Sequence, residues 1–195
     1  METREVENLI AEKIERHAEV CALMPALAPQ IARAAELMVK SLKTGGRIFF
    51  CGNGGSASDA QHLSAELSGR YLLDRPALDA EALHCNTSAL TAIANDFGYE
   101  RVFSRQVEAH GRSGDTLVAL STSGGSSNVI EAAEAALEKN MNVVAMTGEK
   151  QSRLGTLAHV WLAVPSRETP RIQEMHILIG HTLCEIVERS LFSQN

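Results

Sequence analysis

Two short segments of this 195-residue chain have the residue types needed to hold a phosphate. Asn53-Gly54-Gly55-Ser56 and Ser121-Thr122-Ser123-Gly124-Gly125-Ser126 each follow an apolar run and lead into a helical pattern. Such loops expose backbone N–H groups and hydroxyls beside a positive helix start, so they can grip an anion without a lysine. Neither matches G-x-x-x-x-G-K-[ST] or G-x-G-x-x-G, which argues against a nucleotide triphosphatase and a dinucleotide enzyme. One such loop is also an ordinary strand-to-helix turn. Two in equivalent places point to a phosphorylated ligand.

Proton-transfer and metal chemistry have candidates too. In Asp59-Ala60-Gln61-His62-Leu63-Ser64-Ala65-Glu66, His62 and Glu66 are four apart and share one helix face. That pair could act as base and acid, or ligate a metal. It fits equally a surface histidine beside a glutamate paired with Arg70. The last helical stretch carries Gln173, Glu174, His176 and His181 among Ile, Leu and Met. Between Ile179 and Leu183, His181 by itself has the setting of a core histidine. His17, His84, His110 and His159 have no motif around them.

These residues need elements to position them. Val6, Leu9, Ile10, Ile14 and Ala18 predict one helix, and Ile31, Ala34, Ala35, Met38 and Leu42 a second, ended by Thr44-Gly45-Gly46. Residues 1–44 thus form a helical segment that packs on the core or on a partner subunit, and 45–195 form the rest of a single folding unit. From Arg47 short apolar runs alternate with helices. Strands are expected at Ile48–Cys51, Ala82–His84, Thr116–Leu120, Val143–Met146 and Val160–Val164. Helices are expected from about Ser58 to Ser68, from Ser88, from Ser127 to Lys139 and from Arg171 to Leu191. This alternation predicts an α/β fold, a doubly wound parallel sheet flanked by helices. In such a sheet, ligands bind outside the carboxyl ends of the strands, where both loops fall.

With 45% hydrophobic and 22% charged residues, the chain reads as globular rather than disordered. Lys plus Arg number 18 and Asp plus Glu 24, a net charge of −6, which disfavours nucleic acid or an anionic membrane as partner. The charged opening Met-Glu-Thr-Arg-Glu-Val-Glu is unlike a signal peptide. Cys21, Cys51, Cys85 and Cys184 lack C-x-x-C spacing and read as reduced, mostly buried thiols of a cytoplasmic protein.

Four motifs resemble one family. Cys51–Tyr71 (CGNGGSASDAQHLSAELSGRY), Thr91–Asp115, Leu120–Ile130 (LSTSGGSSNVI) and Arg171–Glu185 (RIQEMHILIGHTLCE) are similar to the phosphoheptose isomerases of the sugar-isomerase (SIS) fold. The resemblance covers nearly the whole chain. It implies an aldose–ketose isomerase converting sedoheptulose 7-phosphate to D-glycero-D-manno-heptose 7-phosphate, the first step of bacterial heptose biosynthesis. It also implies a cytoplasmic homotetramer with active sites at subunit interfaces and one Zn2+ per subunit. Carried over, Ser56, Ser121, Thr122, Ser123 and Ser126 would hold the phosphate. Asn53, Gly54, Gly55, Asn95, Asp96 and Gln173 would line the sugar. His62, Glu66, Gln173 and His181 would ligate the metal, with Glu66 and His181 the catalytic pair and Glu66 also touching substrate. Gly125, Pro170 and Cys85-Asn86 depart from the usual family residues. A second group of the fold, non-catalytic tetramers that bind the bacterial replication initiator, shares the Thr91–Asp96 and Arg171–His176 stretches. The presence of Glu66 and His181 favours the enzyme.

On one helix, Gln173 and His181 lie about 12 Å apart along the axis and about 80° apart in direction. A single ion would strain to reach both. The expectation is therefore a site shared between chains, in which His62 and Glu66 meet a neighbouring subunit's His181.

Overall fold

A computed structural model describes residues 1–193, so the last two positions of the 45–195 segment lie outside it. The first helix, α1 (Thr3–Leu23), buries none of its residues, and a 3-10 turn (Met24–Leu27) leads to α2 (Ala28–Lys43). The remaining order is β1 (Ile48–Cys51), α3 (Gly55–Ser68), β2 (Ala80–Ala82), α4 (Thr87–Phe97), α5 (Ser104–His110) and β3 (Thr116–Leu120). Then follow α6 (Ser127–Glu138), β4 (Asn142–Gly148), α7 (Arg153–Leu157), β5 (Val160–Val164) and α8 (Thr169–Phe192).

All four strand pairings are parallel, in the order β2-β1-β3-β4-β5. The chain leaves β1 to one side for β2 and returns to its other side for β3. The crevice between β1 and β3 is thus the point where the winding reverses, the place such a sheet offers a ligand. Strand residues alternate between two cores, as the period of 2 requires. Ile48, Phe50, Val118, Leu120, Val144 and Met146 pack with Met38 of α2, Leu63 of α3 and Met175 of α8. Phe49, Leu117, Ala119, Val143 and Ala145 face the other way, against Val107 of α5, Val129 of α6 and Leu154 of α7.

Several boundaries differ from the sequence expectation, and the short helices α5 and α7 were not expected. Strand β2 lies two residues earlier, because Ala80, Glu81 and Ala82 pair with Ile48, Phe49 and Phe50. Helix α3 begins at Gly55, because Gly54 at φ 55° turns the chain straight out of β1. Strand β4 continues through Thr147-Gly148 instead of ending before them. The two N-terminal helices also differ in role. Helix α2 buries Ala34, Ala35 and Met38 in the domain core, whereas α1 leaves Val6, Leu9, Ile10 and Ile14 exposed. Only two of the four free cysteines, Cys51 and Cys184, are buried, and burial pushes both thiols up to about 12. Among the described residues no helix is long and apolar enough to cross a membrane.

Candidate active site

Both Gly- and Ser-rich loops lie at the carboxyl ends of β1 and β3, on the two sides of the crevice. They are tied across it by a reciprocal amide pair. Asn53 Nδ2 donates to Asn128 Oδ1 at 2.8 Å and Asn128 Nδ2 donates to Asn53 Oδ1 at 2.8 Å. The Tyr99 hydroxyl donates to Asn53 Oδ1 at 3.2 Å, which brings the segment after α4 to the same point. No side chain caps the N-terminus of α3 or α6, so their first N–H groups face the crevice as anion donors. Ser56 and Ser121 are buried here, and Ser121 shares a 3.0 Å hydroxyl contact with Ser126. A cavity of about 200 Å³ continues beyond Thr122 and Ser123 to Gly148 and the start of α8, with Lys150 and Arg167 on its wall.

A cluster of titratable side chains sits two turns further along α3. His62 Nε2 is 2.8 Å from His181 Nε2 and 3.4 Å from Glu66 Oε1. One ligand atom from each of the three residues lies within 4.8 Å of the other two. The rings of His62 and His181 meet edge-on, and Tyr71 stacks on His181 at 5.4 Å between centroids with planes 20° apart. Glu66 and His181 are half-buried and His62 is exposed, so the cluster opens to solvent. Arg70 forms no ion pair with Glu66 among the described residues; the partner is His62.

This overturns the expectation that His62 and Glu66 meet a neighbouring subunit's His181. All three come from one chain. The reason is the packing of α8 on α3, which run side by side in the same direction at a constant offset. Gln173 packs on Gly55, His181 on His62, and Gly180 on Leu63. The eight positions from Gln173 to His181 run beside the seven from Gly55 to His62. Gln173 therefore packs at the start of α3, beside the first loop and seven positions before His62.

Gly180 sets that approach, because a Cβ there would collide with the Leu63 methyls. Gly180→Ala is expected to cost about 1–3 kcal/mol of stability as an overpacked contact. It also separates His181 from His62. Denaturant unfolding and assay of the same variant check both, and a change below 0.5 kcal/mol with full activity would show that the crossing yields freely.

Sequence reasoning placed the core histidine one turn too late. His176, not His181, is fully buried, and burial pushes its imidazole down to about 4 while Nε2 donates to the Thr147 carbonyl at 3.3 Å. Asn95 and Asp96 are exposed at the end of α4, hydrogen-bonded to each other at 2.8 Å and to neither loop among the described residues. Asn128, Tyr99 and Tyr71 lie within the motifs of the family resemblance, but residue type alone does not single them out, since each works through a contact made on folding. The family departures fit locally. Asn86 caps α4 by accepting from the Ala89 N–H, Pro170 falls in the first turn of α8, and Gly125 has room for a side chain. A cavity of about 450 Å³ at the opposite end of the sheet lacks this chemistry. Its Asp115 is consumed by the Arg47 and Arg112 N–H groups, and its Arg47 pairs with Asp79.

The chain is similar to known proteins over most of its length. The SIS domain family matches residues 6–148. A phosphoheptose isomerase of Rhodospirillum rubrum is 55% identical over 166 residues, 85% of this chain and 88% of that one. One from Campylobacter jejuni is 51% identical over 181 residues, 93% and 97% of the two chains. The solved structure of a phosphoheptose isomerase from Neisseria gonorrhoeae superimposes with a TM-score of 0.89 at 44% identity, covering 94% of this chain and 98% of that one.

Proposed function

As this chain belongs to the phosphoheptose isomerases of the SIS-domain family and is a sugar-phosphate isomerase, we propose sedoheptulose 7-phosphate as its substrate. The product is then D-glycero-D-manno-heptose 7-phosphate. The observation that carries the mechanism is the convergence of the Glu66 carboxylate and the His181 imidazole, two turns along α3 from its uncapped start. Moving the carbonyl from C2 to C1 requires a proton to leave C1 and one to reach C2 through an ene-diol. Glu66 takes the C1 proton and returns it to C2. His181 gives a proton to O2 as the ene-diol forms, and takes one from O1 as it collapses. The phosphate end rests on Ser56, Ser121, Thr122, Ser123 and Ser126, and Asn53, Gly54, Gly55 and Gln173 line the sugar. Asn95 and Asp96 join them from the rim.

Two imidazoles and a carboxylate this close form a donor set that suits zinc. His62, Glu66 and His181, with Gln173 as the fourth ligand the family resemblance implies, would hold the ion, which when bound supplies polarisation of the substrate oxygens. We further propose a homotetramer in which the exposed apolar face of α1 is covered by another copy. The non-catalytic, initiator-binding alternative has no use for the Glu66–His181 pair.

The test is to incubate the pure protein with sedoheptulose 7-phosphate and follow the aldose by NMR, with and without chelator. Formation of the heptose 7-phosphate supports the assignment; no aldose under either condition overturns it. The phosphate loop has its own expected result. Ser121→Ala/Ser123→Ala raises KM at least tenfold with a smaller change in kcat, because the loop grips the unreacting end. An unchanged KM would place the phosphate elsewhere.

A further inference from the structure

The most completely satisfied charge pair in the described chain lies behind the catalytic cluster rather than in it. Arg75 and Glu188 have side chains 1% exposed, and Nε donates to Oε1 at 2.9 Å. Glu188 also accepts the N–H groups of Tyr71 and Leu72, both at 2.8 Å, and of Leu73 at 3.0 Å. Arg75 donates its remaining hydrogens to carbonyls, chiefly Leu67 at 2.7 Å and Glu66 at 2.8 Å. Three pieces of chain are thus bolted together. They are the last turn of α3 at the carbonyl of Glu66 itself, the turn carrying Tyr71, and α8 two turns beyond His181.

A buried ion pair is a poor stabiliser compared with apolar residues of the same volume. This one is spent instead on backbone groups that bear directly on the site. Desolvation would raise the Glu188 carboxyl, but the three N–H donors and Arg75 outweigh it and hold it below the usual range. It therefore stays an acceptor for the Tyr71 turn.

We propose that Arg75 and Glu188 are positioning residues for catalysis, holding Tyr71 as a flat wall against the His181 ring while fixing the helix turn that carries Glu66. Tyr71 restricts the imidazole to the orientation in which Nε2 points at His62 and Glu66. Nothing in this device touches the phosphate loops, so it acts on turnover and not on substrate capture. The proposal rests on the isomerase reading above.

The test uses the full-length protein and three variants, Glu188→Gln, Tyr71→Leu and His181→Gln. Glutamine keeps the shape of Glu188 but points an NH2 at backbone donors and removes the counter-charge of Arg75. Two readouts are taken: kcat and KM with sedoheptulose 7-phosphate, and the ring resonances of ¹³C-labelled histidine, with His181 assigned by its loss in His181→Gln. Glu188→Gln and Tyr71→Leu are each expected to lower kcat about tenfold or more with KM within threefold. Both are expected to move the His181 ring signals, because the ring current of Tyr71 is lost, and to leave the buried His176 signals in place. His181 signals unmoved in a folded Glu188→Gln protein, or a raised KM with unchanged kcat, would overturn the proposal. Should Glu188→Gln fail to fold, the half-exposed Tyr71→Leu variant decides by the same criteria. If the wild-type protein turns over no substrate, the isomerase reading has failed, and the histidine signals still report on the device.

Discussion

Glu66→Gln and His181→Gln are each expected to lower turnover by about 10²–10⁴-fold, the usual worth of a positioned proton-transfer group. Both substitutions are close in size to the native residue, and both positions are only half-buried, so folding should survive. Steady-state assay and circular dichroism on the same preparations check the two halves of that statement. A rate within threefold of wild type in either variant would remove that residue from the mechanism. Mixing the two inactive proteins after reversible dissociation gives a sharper result. Because Glu66 and His181 meet within one chain, every site in a mixed oligomer lacks one of them, and no activity returns. Recovery on mixing would mean that the functional pair is drawn from different copies.

Glu188→Ala is expected to cost about 3–5 kcal/mol, the largest stability loss of the substitutions considered, because it leaves the Arg75 guanidinium buried without a counter-charge. It also strips the acceptor from three backbone N–H groups. Replacing both partners by apolar residues, Arg75→Met/Glu188→Leu, should recover part of that loss, since the uncompensated charge is gone while the orphaned N–H groups remain. Denaturant midpoints with unchanged slopes measure both. A Glu188→Ala protein within 1 kcal/mol of wild type would mean that water or a rearranged loop satisfies Arg75.

Local pattern explains what could be read in advance. Strands β3 and β5 fall at the expected residues because each is a short apolar run bounded by polar turns. Ser56 and Ser121 to Ser126 could be placed at strand ends because Gly and Ser density marks tight strand-to-helix turns wherever they occur. His62 and Glu66 share a face because a helix repeats every 3.6 residues. Where a boundary slipped, a long-range or conformational term had prevailed. Strand β2 took its register from hydrogen bonds to β1, and α3 started early on a positive φ at Gly54.

By itself, then, the sequence determined the parallel α/β layout, the two phosphate-type loops and the chemical types in the site, all encoded in local patterns along the chain. Only the tertiary structure decided which histidine joins the His62–Glu66 cluster and which is core. His176 and His181 sit on the same apolar helix, and the difference arises from where α8 meets Thr147 and His62. The tertiary structure likewise decided that one chain supplies the whole Glu66–His181 pair. The spacing along α8 says how far apart Gln173 and His181 lie, but it cannot say that α3 runs beside them in parallel. That follows from two helices packing through Gly180 and Gly55, contacts between residues more than a hundred positions apart that no local period records.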